Sequence, residues 1–531
     1  MVNYEQARQS LQSTLDNQKT QAERNRMGQF ATPIELARDI IAYSIQLLPD
    51  NELIRFLDPA IGTGCFYSAL RNAVPLEHIQ SAEGYEIDKH YGLPAKQIWA
   101  NTPLDIHLDD FTLAKPPVSE SQRFNFLICN PPYVRHHHIA TSEKTRLQEQ
   151  AKQTSGVHLS GLAGLYCYFL LLAHTWMKES AVAAWLIPSE FMDVNYGRAL
   201  KNYLLNRVTL LRIHRFDPND LQFADALVST AIVWFRKENP PIENTVEFTF
   251  GGTIVKPSVS RSVSTSALRS EAKWTRFPIS QERKPSQGII FADLFDIKRG
   301  IATGSNQFFI LTREQIEHYH LPKEFLRPIL PSPRYLLEDE IGAETNGEPA
   351  VEQKLFLLDC HLPEDVVKIK YPSLWDYLKT GKPTVSERYI CRHRNPWYSQ
   401  EVRPPTLFLC TYIGRTDTQR GRPFRFLLNH SQATAANVYL LLYPKPSLAQ
   451  ALANDPALAR KVWQSLNEIH TKTFLAEGRV YGGSLYKMEP KELGKVSAEQ
   501  ILALIPESQS LSLFRQADLF QDTRVLVPTL E

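Results

Sequence analysis

The stretch FNFLICNPPYVRHHH, residues 124–138, runs an apolar segment into Asn130, Pro131, Pro132 and Tyr133, then into His136, His137 and His138. Proline cannot continue a β-ladder, so a strand over Phe126–Cys129 must end there and its last polar side chain must leave the sheet. One reading is a strand-terminating turn. The other is an active-site lip at the carboxyl end of a sheet, where open α/β folds bind their ligands.

Earlier stretches bear on that choice. FLDPAIGTG, residues 56–64, ends a predicted strand on Asp58, and Gly62 and Gly64 then allow a tight turn and close approach to a ligand. In GYEID, residues 84–88, Glu86 falls at the end of the next strand, where a carboxylate can take both hydroxyls of a ribose. DDF, residues 109–111, offers Asp110 to an adenine amino group and Phe111 to its ring face. No Walker lysine follows the glycines and the full G-x-G-x-x-G pattern is absent, so a nucleoside-type ligand without a pyrophosphate fits better than ATP or NAD. S-adenosylmethionine is such a ligand.

A second chemistry lies further on. Between Lys379 and Arg425 stand Lys382, Arg388, Arg392, Arg394, Arg403, Arg415, Arg420 and Arg422, against only Glu387, Glu401 and Asp417. Tyr389, Trp397 and Tyr398 are interleaved. Basic side chains among aromatics are the footprint of a nucleic-acid contact, with a solvated arginine-rich loop as the alternative. The three histidines are consecutive in a loop and rarely converge on one ion in that arrangement, and Cys360, Cys391, His393 and Cys410 are spaced too irregularly for zinc, so no metal is expected.

The elements that must position these groups follow from periodicity. LIRFLD (53–58), IQSAEGYE (79–86), FNFLIC (124–129) and AVAAWLIP (181–188) read as strands, with helices over Phe66–Ala73 and Leu165–Met177. Their alternation predicts an α/β fold with a parallel, Rossmann-like sheet, closed at one edge by antiparallel strands in VTLLRIHRF and STAIVWF. Thr32 and Pro33 read as N-cap and first residue of a helix. A Ser- and Pro-rich text around Pro240-Pro241 and in SVSRSVSTSALRS (258–270) predicts a linker. The expected organisation is a helical segment over 1–27, a cofactor-binding domain over 28–240, a linker over 241–290 and a second, mixed α+β domain over 291–531.

At 531 residues the chain exceeds one ordinary core, and its 43% hydrophobic and 22% charged residues are those of a globular protein. The amino-terminal residues are polar, without the apolar core of a secretion signal, and the longest apolar run, Leu162–Met177, is too short for a bilayer. Six scattered cysteines without a CxxC pair predict free thiols, and a cytoplasmic location is the default expectation. The net charge of +2 by itself decides nothing about partners.

The succession GQFATP (28–33), DPAIGTG, YEID, DDF and NPPY resembles the amino-methyltransferases, and specifically the gamma-class DNA adenine-N6 methyltransferases of bacterial type II restriction–modification systems. The resemblance continues through GLYCYFLLLA, AAWLIPSEFM and QFADALVSTAIVWF. FDIKRGIATGSNQFFIL and GRVYGGSLYKMEPKEL look like that family's target-recognition region, so nearly the whole chain is covered. Ile61 departs from the family, which more often has cysteine or a small residue there, a change that bears on packing.

The resemblance implies a Rossmann-like S-adenosylmethionine-dependent domain followed by a DNA target-recognition domain. Phe30, Thr32, Pro33, Asp58, Pro59, Ala60, Gly62, Gly64, Glu86, Ile87, Asp110 and Phe111 would hold the cofactor. Asn130 and the Pro131 carbonyl, stiffened by Pro132, would accept hydrogen bonds from the N6 amine of a flipped adenine. Tyr133 and Phe223 would stack on its two faces. Flipping costs roughly a few kcal/mol, and stacking returns about 1–3 kcal/mol per base. Arg299, Thr303, Arg388, Arg392, Arg394, Arg420, Arg422 and Tyr481 would meet double-stranded DNA. The functional partner would be a separate restriction endonuclease cutting the same site, and no membrane is involved. The rivals are an amino-methyltransferase acting on RNA or protein, for which the basic second domain would be superfluous, and a DNA-binding module without catalysis. A fused endonuclease is disfavoured, because no convincing carboxylate–lysine nuclease motif is present.

Overall fold

The computed structural model describes residues 4–217, 220, 222, 229–278, 288–415, 422–481 and 485–505. They form two compact units, the first of the described residues up to 278 together with Tyr481, the second of the others from 288 onward.

The first unit is built on a nine-stranded sheet, β1 (Ile54–Asp58), β2 (Ile79–Tyr85), β3 (Leu104–His107), β4 (Phe124–Cys129), β5 (Met177–Pro188), β6 (Thr209–Arg215), β7 (Thr230–Arg236), β8 (Thr245–Gly252) and β9 (Pro257–Ser264). Its spatial order is β3-β2-β1-β4-β5-β7-β6-β8-β9. The five strands from β3 to β5 are parallel, whereas β7 is antiparallel to both neighbours, β5 and β6. This is an α/β Rossmann-like sheet, and its order reverses between β1 and β4. Two connections leave in opposite directions there and open a crevice at the strands' carboxyl ends.

The apolar runs explain the central strands. Phe56 and Leu57 are consecutive, fully buried, and enter the hydrophobic clusters on opposite faces of the sheet. In β4 even Asn125 is buried, because its Oδ1 accepts from Arg55 N at 2.7 Å and its Nδ2 donates to Leu53 O at 2.9 Å. That polar residue in an apolar run pins β4 to the start of β1, meeting the requirement that buried polar groups be paired.

Nine α-helices accompany the described sheet: α1 (Tyr4–Asn17), α2 (Gln21–Met27), α3 (Ile34–Ile45), α4 (Cys65–Ala73), α5 (Lys89–Trp99), α6 (Thr141–Ser155), α7 (Leu165–Leu172), α8 (Gly197–Asn206) and α9 (Thr265–Ser270). The expected linker over 241–290 is a different object as far as it is described. Its residues 245–264 are β8 and β9, which extend the sheet, and 265–270 are α9, capped by the Ser264 hydroxyl accepting from Ala267 N at 3.2 Å. β9 is an edge strand facing solvent, where serines are tolerated, and only Val263 of SVSRSVS enters the core. Composition alone therefore misread a strand as a connection.

The second unit is mixed α+β. Its largest sheet orders Phe295–Arg299, Tyr439–Pro444, Phe408–Thr411, Phe426–Asn429 and Glu340–Ile341, and smaller sheets of four and three strands stand beside it. It has its own hydrophobic clusters, around Phe291, Phe408 and Leu442 and around Phe309, Leu357 and Tyr398. All six cysteines are free and buried. No helix among the described residues is long and apolar enough to cross a membrane.

Candidate active site

The carboxyl ends of β1, β2 and β4 surround a cavity of about 450 Å³ in the first unit. Pro59, Ala60, Gly62, Glu86, Ile87, Asp110, Phe111, Asn130, Pro132 and Phe30 line it, so most of the motifs separated in sequence converge on one space.

Asp58 ends β1 with 1% exposure, and its carboxyl accepts from Ala60 N at 3.1 Å. It shapes the following loop from behind and does not line the cavity. Burial pushes its pKa up to about 8, against the hydrogen bonds from Ala60 and Cys129. Glu86 follows β2 and accepts from Gly62 N at 3.1 Å and from Asp88 N at 2.8 Å. Burial raises it to about 7 despite those donors. Gly64 sits at φ +88, and a Cβ there would lie 2.5 Å from Trp99 Nε1, so this glycine serves the packing of α4 on α5 and does not face the cavity. Asp110 caps the turn beginning at Phe111, accepting from Thr112 N at 2.8 Å. Phe111 is packed among Tyr85, Phe169 and Trp176, with ring centroids 5.5, 5.6 and 5.1 Å away. This aromatic wall joins Phe169, which sequence reasoning did not single out, to the cavity.

The strap from Arg26 to Thr32 borders both the cavity and the Asn130 loop. Gly28 adopts φ +66, and a Cβ on it would stand 2.4 Å from Tyr133 N. Glycine is thus what lets the strap approach closely enough for Tyr133 N to donate to Gly28 O at 3.0 Å. Asn130 Nδ2 donates to Phe30 O at 3.0 Å and to Thr32 Oγ1 at 3.1 Å. Thr32 is not the helix cap expected of it. α3 begins one residue later, with Pro33 in the capping position and no side-chain cap. Neither Thr32 nor Pro33 lines the cavity.

Pro131 and Tyr133 are buried and do not line the cavity either. Tyr133 is 8% exposed, donates its hydroxyl to Leu186 O at 3.0 Å, and packs its ring 5.5 Å from that of Phe30. Phe223 lies outside the described residues. His136, His137 and His138 form one 3-10 turn, with His138 reaching the cavity and Ile139 beside it.

The amino-terminal helices are the part of the site the sequence did not reveal. Gln12, Asp16, Arg26, Met27 and Gln29 all line the cavity. Helix α1 is fixed to the glycine loop through Arg8, whose guanidinium is held by a buried ion pair with Glu5 of the same helix at 2.7 Å. Arg8 Nη1 donates to Thr63 Oγ1 at 3.1 Å, and Thr63 Oγ1 in turn donates to Gln12 at 2.6 Å. Lys19 pairs with Asp88, which also accepts from Gln29 at 2.7 Å. A Glu–Arg pair three residues apart, in a helix with no other motif, was the one signal the sequence carried.

In the second unit the basic segment sorts into two groups. Lys379, Lys382, Arg403 and Arg425 pair with Asp376, Glu364, Glu401 and Asp339. Arg394 donates to Ala302 O at 2.7 Å and Thr303 O at 3.1 Å, and Arg422 to Asn467 O at 2.8 Å. Thr303, 1% exposed, spends its hydroxyl on Asn306 and Ser305 and presents nothing to a ligand. Arg388 and Arg392 are exposed and have no carboxylate partner among the described residues. Arg388 touches Gly304 O at 3.1 Å and Arg392 lies over the exposed Tyr389 ring. Arg299 is likewise exposed, stacked 4.0 Å from the Tyr412 ring centroid. Arg420 and the side chain of Tyr481 lie outside the described residues.

Comparison with known proteins bears on what this arrangement serves. The family model of the Eco57I restriction-modification methylase matches residues 70–222, and that of the C-terminal domain of the type II methyltransferase M.Eco57I matches residues 272–524. The type II methyltransferase M.XamI of Xanthomonas campestris pv. amaranthicola is 27% identical over 483 residues, spanning 89% of this chain and 85% of its own length. M.AccI of Acinetobacter calcoaceticus is 24% identical over 490 residues with the same coverage. The solved structure of a DrdV–DNA complex shares the fold, with a TM-score of 0.52 at 12% identity over 88% of this chain. This chain spans only 56% of that neighbour's length.

Proposed function

Since the chain belongs to the type II restriction–modification methyltransferases, we propose that it transfers a methyl group from S-adenosylmethionine to N6 of an adenine flipped out of a short duplex recognition sequence. The observation that carries this reading is the orientation of the Asn130 amide. Its Nδ2 is held by Phe30 O and Thr32 Oγ1, so Oδ1 is left as the acceptor beside a cavity fitted to a nucleoside.

The cavity's residues fit the cofactor. Glu86 offers a carboxylate to two ribose hydroxyls, Asp110 an acceptor to an amino group, and Phe111 with Phe169 an apolar wall for a purine. When bound, S-adenosylmethionine supplies an electrophilic methyl on a sulfonium. Adenine's amine is a weak nucleophile because its lone pair is delocalised into the ring. Asn130 Oδ1 and the Pro131 carbonyl accept its two N–H groups and localise the lone pair away from them. The two prolines offer no amide N–H that would compete with those acceptors. The amine would take up the methyl that a bound cofactor supplies, the sulfur–carbon bond leaving its electron pair on sulfur, and would lose one proton to solvent. Positioning and fixed dipoles do most of the work, and no strong base precedes transfer.

Tyr133 would stack on the extruded base. Because it is 8% exposed and packed on Phe30, its neighbour has to give way as the base enters. Phe223 is proposed for the opposite face. The second unit would hold the duplex, with Arg299, Arg388 and Arg392 the basic groups best placed to meet phosphates. The product mark would protect DNA from a separate endonuclease of the same specificity.

The test is sequencing of modified bases in DNA from a methylation-free host expressing the protein. N6-methyladenine confined to one short motif is expected. Asn130→Ala should keep DNA binding and lose most turnover, and normal methylation by that variant would overturn the mechanism.

A further inference from the structure

Resting on that reading of Asn130, we propose that Thr32 is a positioning residue for the catalytic amide and not a contact of the cofactor. Its hydroxyl, with the Phe30 carbonyl, would hold Nδ2 so that Oδ1 is the atom offered to the reacting amine.

The two ends of an asparagine amide look alike in shape, and their assignment comes from partners. Here one partner decides it. The Phe30 carbonyl can only accept, and at 3.0 Å it must face Nδ2. The Thr32 hydroxyl lies 3.1 Å from the same nitrogen and gives its second hydrogen an acceptor. Both amide hydrogens are thereby engaged, while no described residue donates to Oδ1. A flipped amide would aim an N–H at the incoming amine and set Oδ1 against two oxygens.

Other duties for this hydroxyl are accounted for. It does not cap α3, whose capping residue is Pro33. It does not line the cavity, although Phe30 and Ala31 on the same strap do. The bond from Cys65 Sγ, at 3.2 Å, goes to the Thr32 backbone carbonyl and leaves the hydroxyl untouched. The strap thus divides its residues between two tasks, with Phe30 and Ala31 at the cavity wall and Thr32 on the amide.

The experiment compares Thr32→Val, which keeps the shape and removes the oxygen, with Thr32→Ser, which restores it, in steady-state methylation of duplex DNA. Expected are a fall in kcat of about tenfold for valine, KM for DNA and cofactor within about twofold of the parent, and recovery with serine. On the Asn130→Ala background, measured in single turnover, Thr32→Val should add no further loss, since the group it acts through is gone. An unchanged kcat, or a raised cofactor KM at constant kcat, would overturn the proposal. A loss that persists in the Asn130→Ala background would overturn it as well. If valine prevents folding, Thr32→Ala takes its place, and full activity there has the same meaning. Absence of N6-methyladenine with the parent enzyme would instead sink the underlying reading, so the two failures are separable.

Discussion

Two carboxyl groups at the strand ends titrate far from their ordinary ranges. Asp58 moves from 3.8 to about 8 and Glu86 from 4.5 to about 7, both mainly through burial. A raised carboxyl pKa means that the folded protein binds more protons than the unfolded chain between the two values, so stability falls as pH rises through that window. The melting temperature of the cofactor-free protein should therefore decline from pH 5 toward pH 8, and Asp58→Asn and Glu86→Gln should each flatten the slope. A wild-type curve that rises over this range would contradict the assignment. At this scale the sequence was informative about identity and less so about role. Asp58, Glu86, Asp110 and Asn130 stand where their motifs put them, but Asp58 supports a loop from behind and Thr32 serves Asn130. The partner of Thr32 could not be read locally, because Thr32 and Asn130 are joined only by the fold.

Except for the short β3, the strands of the parallel sheet were legible because a continuous apolar run bounded by glycine and proline suits little besides a buried strand. β9 was not, since a solvent-facing edge strand rich in serine has the composition of a linker. Helix α1 was legible as a helix, but its place against the glycine loop depends on Arg8, Gln12 and Thr63 meeting across more than fifty residues. In the second unit, the four-residue helix Tyr389–Arg392 is anchored by Cys391, buried against Thr303, and by the neighbouring Arg394, while Arg388 and Arg392 face outward. Reversing Arg388 or Arg392 to glutamate should weaken DNA binding and lower the salt slope by about 0.9 for each phosphate no longer neutralised. Arg394→Ala should act mainly through stability, because its guanidinium is spent on backbone carbonyls. An unchanged slope in both reversal variants would remove this helix from the DNA surface.

The whole molecule divides its labour between two units with separate hydrophobic clusters. Among the described residues the cavity proposed for the cofactor lies in the first unit, so saturating S-adenosylhomocysteine should raise one thermal transition and leave the other in place. At one hundred times Kd the gain is about 2.7 kcal/mol for the responsive unit. Differential scanning calorimetry reads this directly, and the absence of any shift would count against the cavity as the cofactor site. The burial of all six cysteines has a practical consequence at this scale. Burial raises each thiol's pKa, so the native protein presents little reactive thiolate to solvent. A single cysteine installed on an exposed position becomes the fast-labelling handle, and a fluorophore or spin label there can report domain movements in the otherwise unaltered chain.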